Sequence, residues 1–254
     1  MSRTLTRRAL VAGMATGAAG LLSGCDRLTA NADFRKVLFS ENNIHQWTQR
    51  ALVNRNALAR EFTAADISPL FKANGTRYPQ TPLYLDMSTD LFARWKVRVF
   101  GKVARPMAIP LATIKAMPAR EQITRHDCVE GWSAIGKWRG TPLKLILDQA
   151  GLRDDARYIV FHCADDMGGG QIYYESIDLI DAFHPQTILA WALNDKPLEV
   201  AHGAPLRMRI ERQLGYKQPK YVTGIEAVSR LDHIHGGKGG YWEDIAGYEW
   251  YGGL

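Results

Sequence analysis

Between positions 43 and 62, the apolar residues Ile44, Trp47, Ala51, Leu52, Leu58 and Phe62 recur at mixed three- and four-residue spacings, which predicts an amphipathic helix. Arg50, Arg55 and Arg60 leave a membrane-surface role open, but packing on its own domain is the expected outcome. From 68 to 82 this pattern gives way to Pro69, Gly75, Pro79 and Pro82, an irregular loop of a length that often carries function. Residues 95–101 alternate Trp95, Val97 and Val99 with Lys96 and Arg98 before Gly101, as in a half-buried strand that ends in a turn. Thr141 and Pro142 read as the N-cap and first residue of a helix that carries Leu143, Leu145, Ile146 and Leu147 and stops at Gly151. Strands are predicted at 158–163, 206–210 and 221–228, an apolar run at 188–193, and a short helix from a Ser176 cap through Ala182. Strands that alternate irregularly with short helices predict an α+β fold rather than a doubly wound sheet. No GxGxxG or GxxxxGK[ST] motif suggests nucleotide binding.

The first 25 residues stand apart. Arg3, Arg7 and Arg8 precede an uncharged apolar stretch over 9–22, shorter than the ~20 residues of a membrane span. Thr6-Arg7-Arg8-Ala9-Leu10-Val11 matches a twin-arginine export signal. Leu22-Ser23-Gly24-Cys25 matches a lipobox, so Cys25 is expected to be lipidated, with cleavage at the nearby small residues as the alternative. The organisation expected is a signal peptide over 1–25, a flexible tether over 26–42 and a catalytic domain over 43–254. Asp26 adds the expectation of retention at the inner membrane on the periplasmic side. Without the three leader arginines, 29 basic residues face 26 acidic ones, too weak an excess to argue for nucleic acid.

Beyond the leader only Cys128 and Cys163 remain. They could pair as a disulfide, or one could be kept as a metal-binding thiolate. No CxxC, CxxCH or His/Cys cluster favours zinc, iron–sulfur or c-type haem. His233 and His235 would share a face of a strand, but no third ligand is evident.

Two segments carry a resemblance. Arg125-His126-Asp127-Cys128-Val129-Glu130-Gly131-Trp132-Ser133, followed by Trp138-Arg139-Gly140-Thr141-Pro142-Leu143, resembles the molybdenum-ligand segment of the sulfite oxidase superfamily. It is most similar to the bacterial periplasmic branch that includes methionine sulfoxide reductase catalytic subunits. His202-Gly203-Ala204-Pro205-Leu206-Arg207 and Gly215-Tyr216-Lys217-Gln218-Pro219-Lys220 resemble the region that grips the pterin and its phosphate. The resemblance implies a sulfite-oxidase-type molybdopterin-binding fold with mixed sheets and short helices. With no residues after Leu254, it implies no C-terminal Ig-like dimerisation domain, and a monomer.

It implies Cys128 as the ligand to molybdenum, a soft thiolate on a soft metal, with Arg125 and His126 near enough in sequence to favour the thiolate. Glu130 and Trp132 join it as catalytic candidates: Glu130 as a proton donor if burial raises its pKa or as a structural carboxylate, Trp132 as pocket wall or core. Cofactor contacts are expected from His202, Arg207, Tyr216, Lys217, Gln218 and Lys220, because phosphate and pterin call for convergent cations and donors. Asn74 is expected to present its amide to the pterin, or else to serve as a turn residue before Gly75. Cys163 either lines the site or lies in the core. The cofactor implied is molybdenum–molybdopterin. The activity implied is a two-electron, oxygen-atom-transfer reaction on a small S- or N-oxygenated compound, with a separate haem-containing electron-transfer protein as partner. Ala73 and Ser133 occupy positions where sulfite oxidases carry arginines, which disfavours sulfite. A non-catalytic lipoprotein that binds pterin or a partner is the alternative, and a His-based copper or zinc protein comes after it.

Overall fold

The computed structural model describes residues 44, 46–52 and 54–254. The chain divides into two units, residues 1–52 and 53–254. In the first, the described residues are helical; the export signal, Cys25 and the tether lie outside the described residues. The helix expected over 43–62 does not extend that far, since residues 54–62 are turn and extended chain. Asn54 ends it locally: its side chain accepts the backbone N–H of Asn56 at 2.9 Å and its carbonyl accepts that of Ala57, a turn that competes with helix. No described helix is long and apolar enough to cross a membrane.

The second unit is built on two five-stranded sheets. The first contains β1 (Lys96–Gly101), β2 (Met107–Pro110), β5 (Tyr158–Asp166), β6 (Ile172–Asp178) and β10 (Val222–Val228), in the order β2-β1-β10-β5-β6. Only β1 and β10 run parallel within it. The second orders β3 (Arg120–Cys128), β4 (Trp132–Pro142), β7 (Ile188–Leu193) and β8 (Lys196–Pro197), with β9 (Arg207–Arg209) also paired to β7. Short helices connect them: α1 (Pro82–Ser88), α2 (Leu111–Ala116), α3 (Leu143–Ala150), α4 (Leu179–Ala182) and α5 (Tyr241–Ala246). The architecture is therefore the mixed α+β one that the irregular alternation predicts.

One core draws on both sheets, with Val97, Phe161 and Ile225 from the first and Trp138, Leu189 and Met208 from the second. Helix α3 buries Leu143, Ile146, Leu147 and Ala150 against it, a stripe at helical spacing in which each large side chain contributes about 1.5–3 kcal/mol. Gly151 ends that helix with φ +67, as expected. Its start differs. Thr141 does not cap it, because the Thr141 hydroxyl donates to the Ile114 carbonyl at 2.6 Å and both Thr141 and Pro142 belong to β4. Likewise Ser176 lies within β6; the cap of α4 is Asp178, which accepts the Asp181 N–H at 2.9 Å. His233 and His235 are in turns rather than at a strand end, with His235 stacked 4.1 Å from the Tyr174 ring. Among the described residues no His/Cys/Asp/Glu group is arranged to hold a metal ion.

Candidate active site

Cys128 is the last residue of β3. Its carbonyl accepts the Gly131 N–H at 3.0 Å, and Gly131 turns the chain at φ +81 so that Trp132 starts β4 opposite Cys128. This tight hairpin holds the thiol at the wall of a cavity of about 180 Å³, more than ten times the ~10–15 Å³ that one water needs. The loop before α1 supplies Asn74 and Thr76 from one side, β9 supplies Arg207, and the 3₁₀ turn Gly215–Lys217 with the residues after it supplies Gly215, Tyr216, Gln218 and Lys220. Trp242 and Tyr248, from α5 and the chain beyond it, complete the wall.

Across 54 residues of sequence, the Asn74 amide donates to Cys128 Sγ at 3.5 Å. Burial pushes the thiol above its ordinary pKa, against the backbone N–H of Glu130 and the Asn74 amide, which favour the thiolate. Arg125 does not assist as its sequence position suggests: it is exposed and paired with Asp127 at 2.9 Å. Nor does His126, which is buried and held far below its ordinary pKa, by desolvation first and Arg209 next. The thiolate at this position therefore calls for a cation in the cavity, and a metal deprotonates a coordinating thiol outright.

The cavity holds such chemistry at its other side too. Arg207 is 2 % exposed and donates to the carbonyls of His202 (3.1 Å) and Gln218 (3.3 Å), while its Nε has no partner. Burial, reinforced by Arg209, lowers its pKa to about 9. Lys220 donates to the carbonyls of Asn74 (2.8 Å), Ala201 (3.1 Å) and Thr76, and burial followed by Arg207 lowers its pKa to about 7. Asp165 is pushed up to about 6 by burial. Asp165 Oδ1 and Gln218 Oε1 are buried without a partner. Two buried cations that make no salt bridge among the described residues, beside orphaned donor and acceptor atoms, fit an anionic group joined to a polar heterocycle.

Other expected residues lie elsewhere. Cys163 is in a second core cluster with Tyr173 and Tyr174. The register of β5 against β6 shifts between His162 and Asp166, and it is Asp165, two residues on, that reaches the cavity. Both cysteines are free, so the disulfide reading is excluded. Trp132 is not in the cavity wall but packs its ring 5.6 Å from His126. Glu130 lines the cavity from its exposed side and accepts the Trp132 indole N–H at 3.0 Å; it is not buried. His202 points its ring to the Phe71 carbonyl (2.9 Å) and supports Arg207 through its own carbonyl.

Lys217 is turned away as well, fully buried between Glu175 and Glu243, the latter at 2.9 Å. It locks the turn that carries Tyr216 to α5. A Lys217→Met change leaves two buried carboxylates without their cation and is expected to destabilise by about 3–5 kcal/mol. Thermal unfolding should fall by roughly 6–20 °C; a fall of only about 1 °C would refute this role. Sequence reasoning missed Asp165, Met167, Tyr173 and the buried His126–Arg209 pair. Alternation places Arg209 on a solvated face, whereas Arg209 stacks 4.4 Å over Trp138.

The family described as "Oxidoreductase molybdopterin binding domain" matches residues 84–234. A putative protein-methionine-sulfoxide reductase subunit YedZ1 of Azospira oryzae is 36% identical over 240 residues, 94% of this chain and 84% of that protein. This chain belongs to the molybdopterin-binding oxidoreductase family. Within the sulfite oxidase superfamily it lies on the branch of the protein-methionine-sulfoxide reductase catalytic subunit MsrP. That subunit of Xanthomonas campestris is 34% identical over 54% of this chain and only 46% of its own length. The subunit from Campylobacter jejuni is 28% identical over 75% and 67%. The sulfane dehydrogenase SoxCD of Paracoccus pantotrophus shares the fold, with a TM-score of 0.52 and 16% identity over 61% of this chain and 41% of that one. The protein is thus an enzyme whose cofactor is molybdenum–molybdopterin, and the donors around the cavity fit that group. Asn74, Trp242 and Tyr248 lie outside the matched residues.

Proposed function

We propose that this enzyme reduces a small S-oxide or N-oxide, with Cys128 as the thiolate ligand to molybdenum. The observation that carries the reading is the convergence, in one cavity, of the Cys128 thiol, the Asn74 amide on its sulfur, and the buried cations Arg207 and Lys220. The bound cofactor supplies a two-electron redox centre competent for oxygen-atom transfer. Cys128 Sγ would hold the metal, with the Asn74 amide donating to that sulfur. Arg207 and Lys220 would neutralise the phosphate, Asp165 would offer an acceptor to the polar heterocycle, and Tyr216 lines the cavity wall. Glu130, exposed at the cavity rim, would relay protons from solvent. Reduction of a sulfoxide to a sulfide consumes two electrons and two protons and releases water.

Sulfite is disfavoured because Ala73 and Ser133 stand where sulfite oxidases carry arginines; Ser133 bonds Asp127 instead. The relatives' names favour a sulfoxide. The reading includes twin-arginine export, anchoring of the periplasmic protein at the inner membrane through lipidated Cys25, and electrons from a separate haem protein. With a reduced dye, enzyme matured in its native host is expected to turn over methionine sulfoxide, dimethyl sulfoxide or trimethylamine N-oxide well above the rate of sulfite oxidation with an oxidised dye. Sulfite as the best substrate would overturn the reading. A Cys25→Ser change is expected to release the protein from membranes, and retention there would contradict the anchor.

A further inference from the structure

We propose that His126 is a positioning residue: its Nε2–H holds Gln218 Oε1 and so ties the strand carrying Cys128 to the turn that grips the cofactor. The inference rests on Cys128 being the metal thiolate.

His126 and Cys128 are two residues apart on β3 and share its buried face. The hydrogen bonds fix which nitrogen of His126 carries the proton. Arg209 Nη1 lies 2.8 Å from His126 Nδ1, and a guanidinium can only donate, so Nδ1 is the acceptor and Nε2 carries the hydrogen. Arg209 is itself immobilised, with Nε and Nη2 on the Glu211 carboxylate at 3.0 and 2.6 Å. That leaves His126 Nε2 as a buried donor without a hydrogen bond of good geometry, in a residue 1 % exposed.

The complementary orphan is at hand. Gln218 Nε2 donates to the carbonyls of Gln213 (2.9 Å) and Ile210 (3.3 Å), so its Oε1 is the free end, and Oε1 is buried and unpartnered. The turn that carries Gln218 lies against this nitrogen: a Cβ at Gly215 would meet His126 Nε2 at 2.6 Å, and the Gln218 N–H donates to the Gly215 carbonyl at 3.1 Å. A buried orphan donor and a buried orphan acceptor on packed neighbouring elements are a bond that a small movement of the turn completes. The ring cannot move to meet it, being packed between Phe71 (5.7 Å) and Trp132 (5.6 Å) with Gly215 against its Nε2 edge. The Gln218 carbonyl in turn accepts from Arg207 Nη2. Glu211, Arg209, His126, Gln218 and Arg207 thus form one connected chain from the interior to the cavity wall. Such outer partners orient the groups that touch a metal cofactor.

The test uses natively matured enzyme and reads molybdenum per chain, the thiolate-to-metal absorption band and the KM-against-kcat split, with thermal unfolding as the folding control. His126→Phe keeps a packed ring but removes both nitrogens. It is expected to lower kcat by about 10–100-fold with a smaller change in KM, and to shift the band. His126→Gln, whose amide has an acceptor for Arg209 and a donor for Gln218, is expected to restore most of both. Gln218→Met cuts the chain from the other end and should give the same band shift, with no further loss in the double variant. Equal losses in His126→Phe and His126→Gln, additive effects in the double variant, or an unshifted band would each overturn the proposal. Should His126→Phe fail to fold, Gln218→Met alone decides it by the band. Failure of the underlying reading is distinguishable: a wild-type enzyme without a thiolate band, or a Cys128→Ser variant that keeps it, condemns the ligand assignment rather than the role of His126.

Discussion

Cys128→Ser is expected to lower turnover more than about 100-fold, beyond what losing an outer partner of a metal ligand does, while the chain stays folded. Serine is nearly isosteric, and the position lies at a hairpin whose geometry is set by Gly131 and the Cys128–Trp132 pairing, so thermal unfolding should move little. The hydroxyl is the difference. A thiol is deprotonated readily by a soft metal and a serine hydroxyl is not, so the Asn74 amide is left facing a neutral oxygen. Steady-state kinetics together with metal content check this. A Cys128→Ser enzyme with full molybdenum and full activity would remove the ligand assignment.

The second large effect is expected from a single methyl group. At Gly215 an added Cβ would meet His126 Cε1 and Nε2 at 2.6 Å and the Asp127 carbonyl at 3.3 Å. The His126 ring has no room to yield, packed as it is by Phe71 and Trp132. The turn must therefore retreat, which costs about 1–3 kcal/mol in overpacking and moves Tyr216 and Gln218 with it. Gly215→Ala is expected to fold with a moderately lower unfolding temperature, yet to retain much less molybdenum after purification. Full cofactor occupancy in that variant would show that the close approach does not position the turn.

Much of the fold was legible because the buried stripes are regular. The 95–101 alternation became β1, and the apolar spacing in 143–150 became α3. Misjudged boundaries share a cause: a side chain took a hydrogen-bond partner other than the one a helix there would have offered. Thr141 bonds the Ile114 carbonyl instead of capping, and Asn54 closes a turn where a helix was expected to continue. In the site, motif position identified which segments approach the cavity but not which side chains turn inward. Lys217 neighbours Gln218 and yet is buried between two carboxylates contributed by β6 and α5, a pairing that spacing cannot reveal. Asp165 escaped notice because a register irregularity in β5 is invisible in the sequence. Arg209 and His126 form a buried charged network that alternation alone assigns partly to solvent; a histidine two residues before the candidate ligand was the available signal.

The most direct test of the central claim is the metal and pterin content of the enzyme purified after maturation in its native host. One molybdenum and one molybdopterin per chain are predicted in the wild type, with both falling in Arg207→Met and the thiolate-to-metal absorption band absent in Cys128→Ser. Zinc, copper or no metal in the natively matured wild type, without bound pterin, would contradict the account.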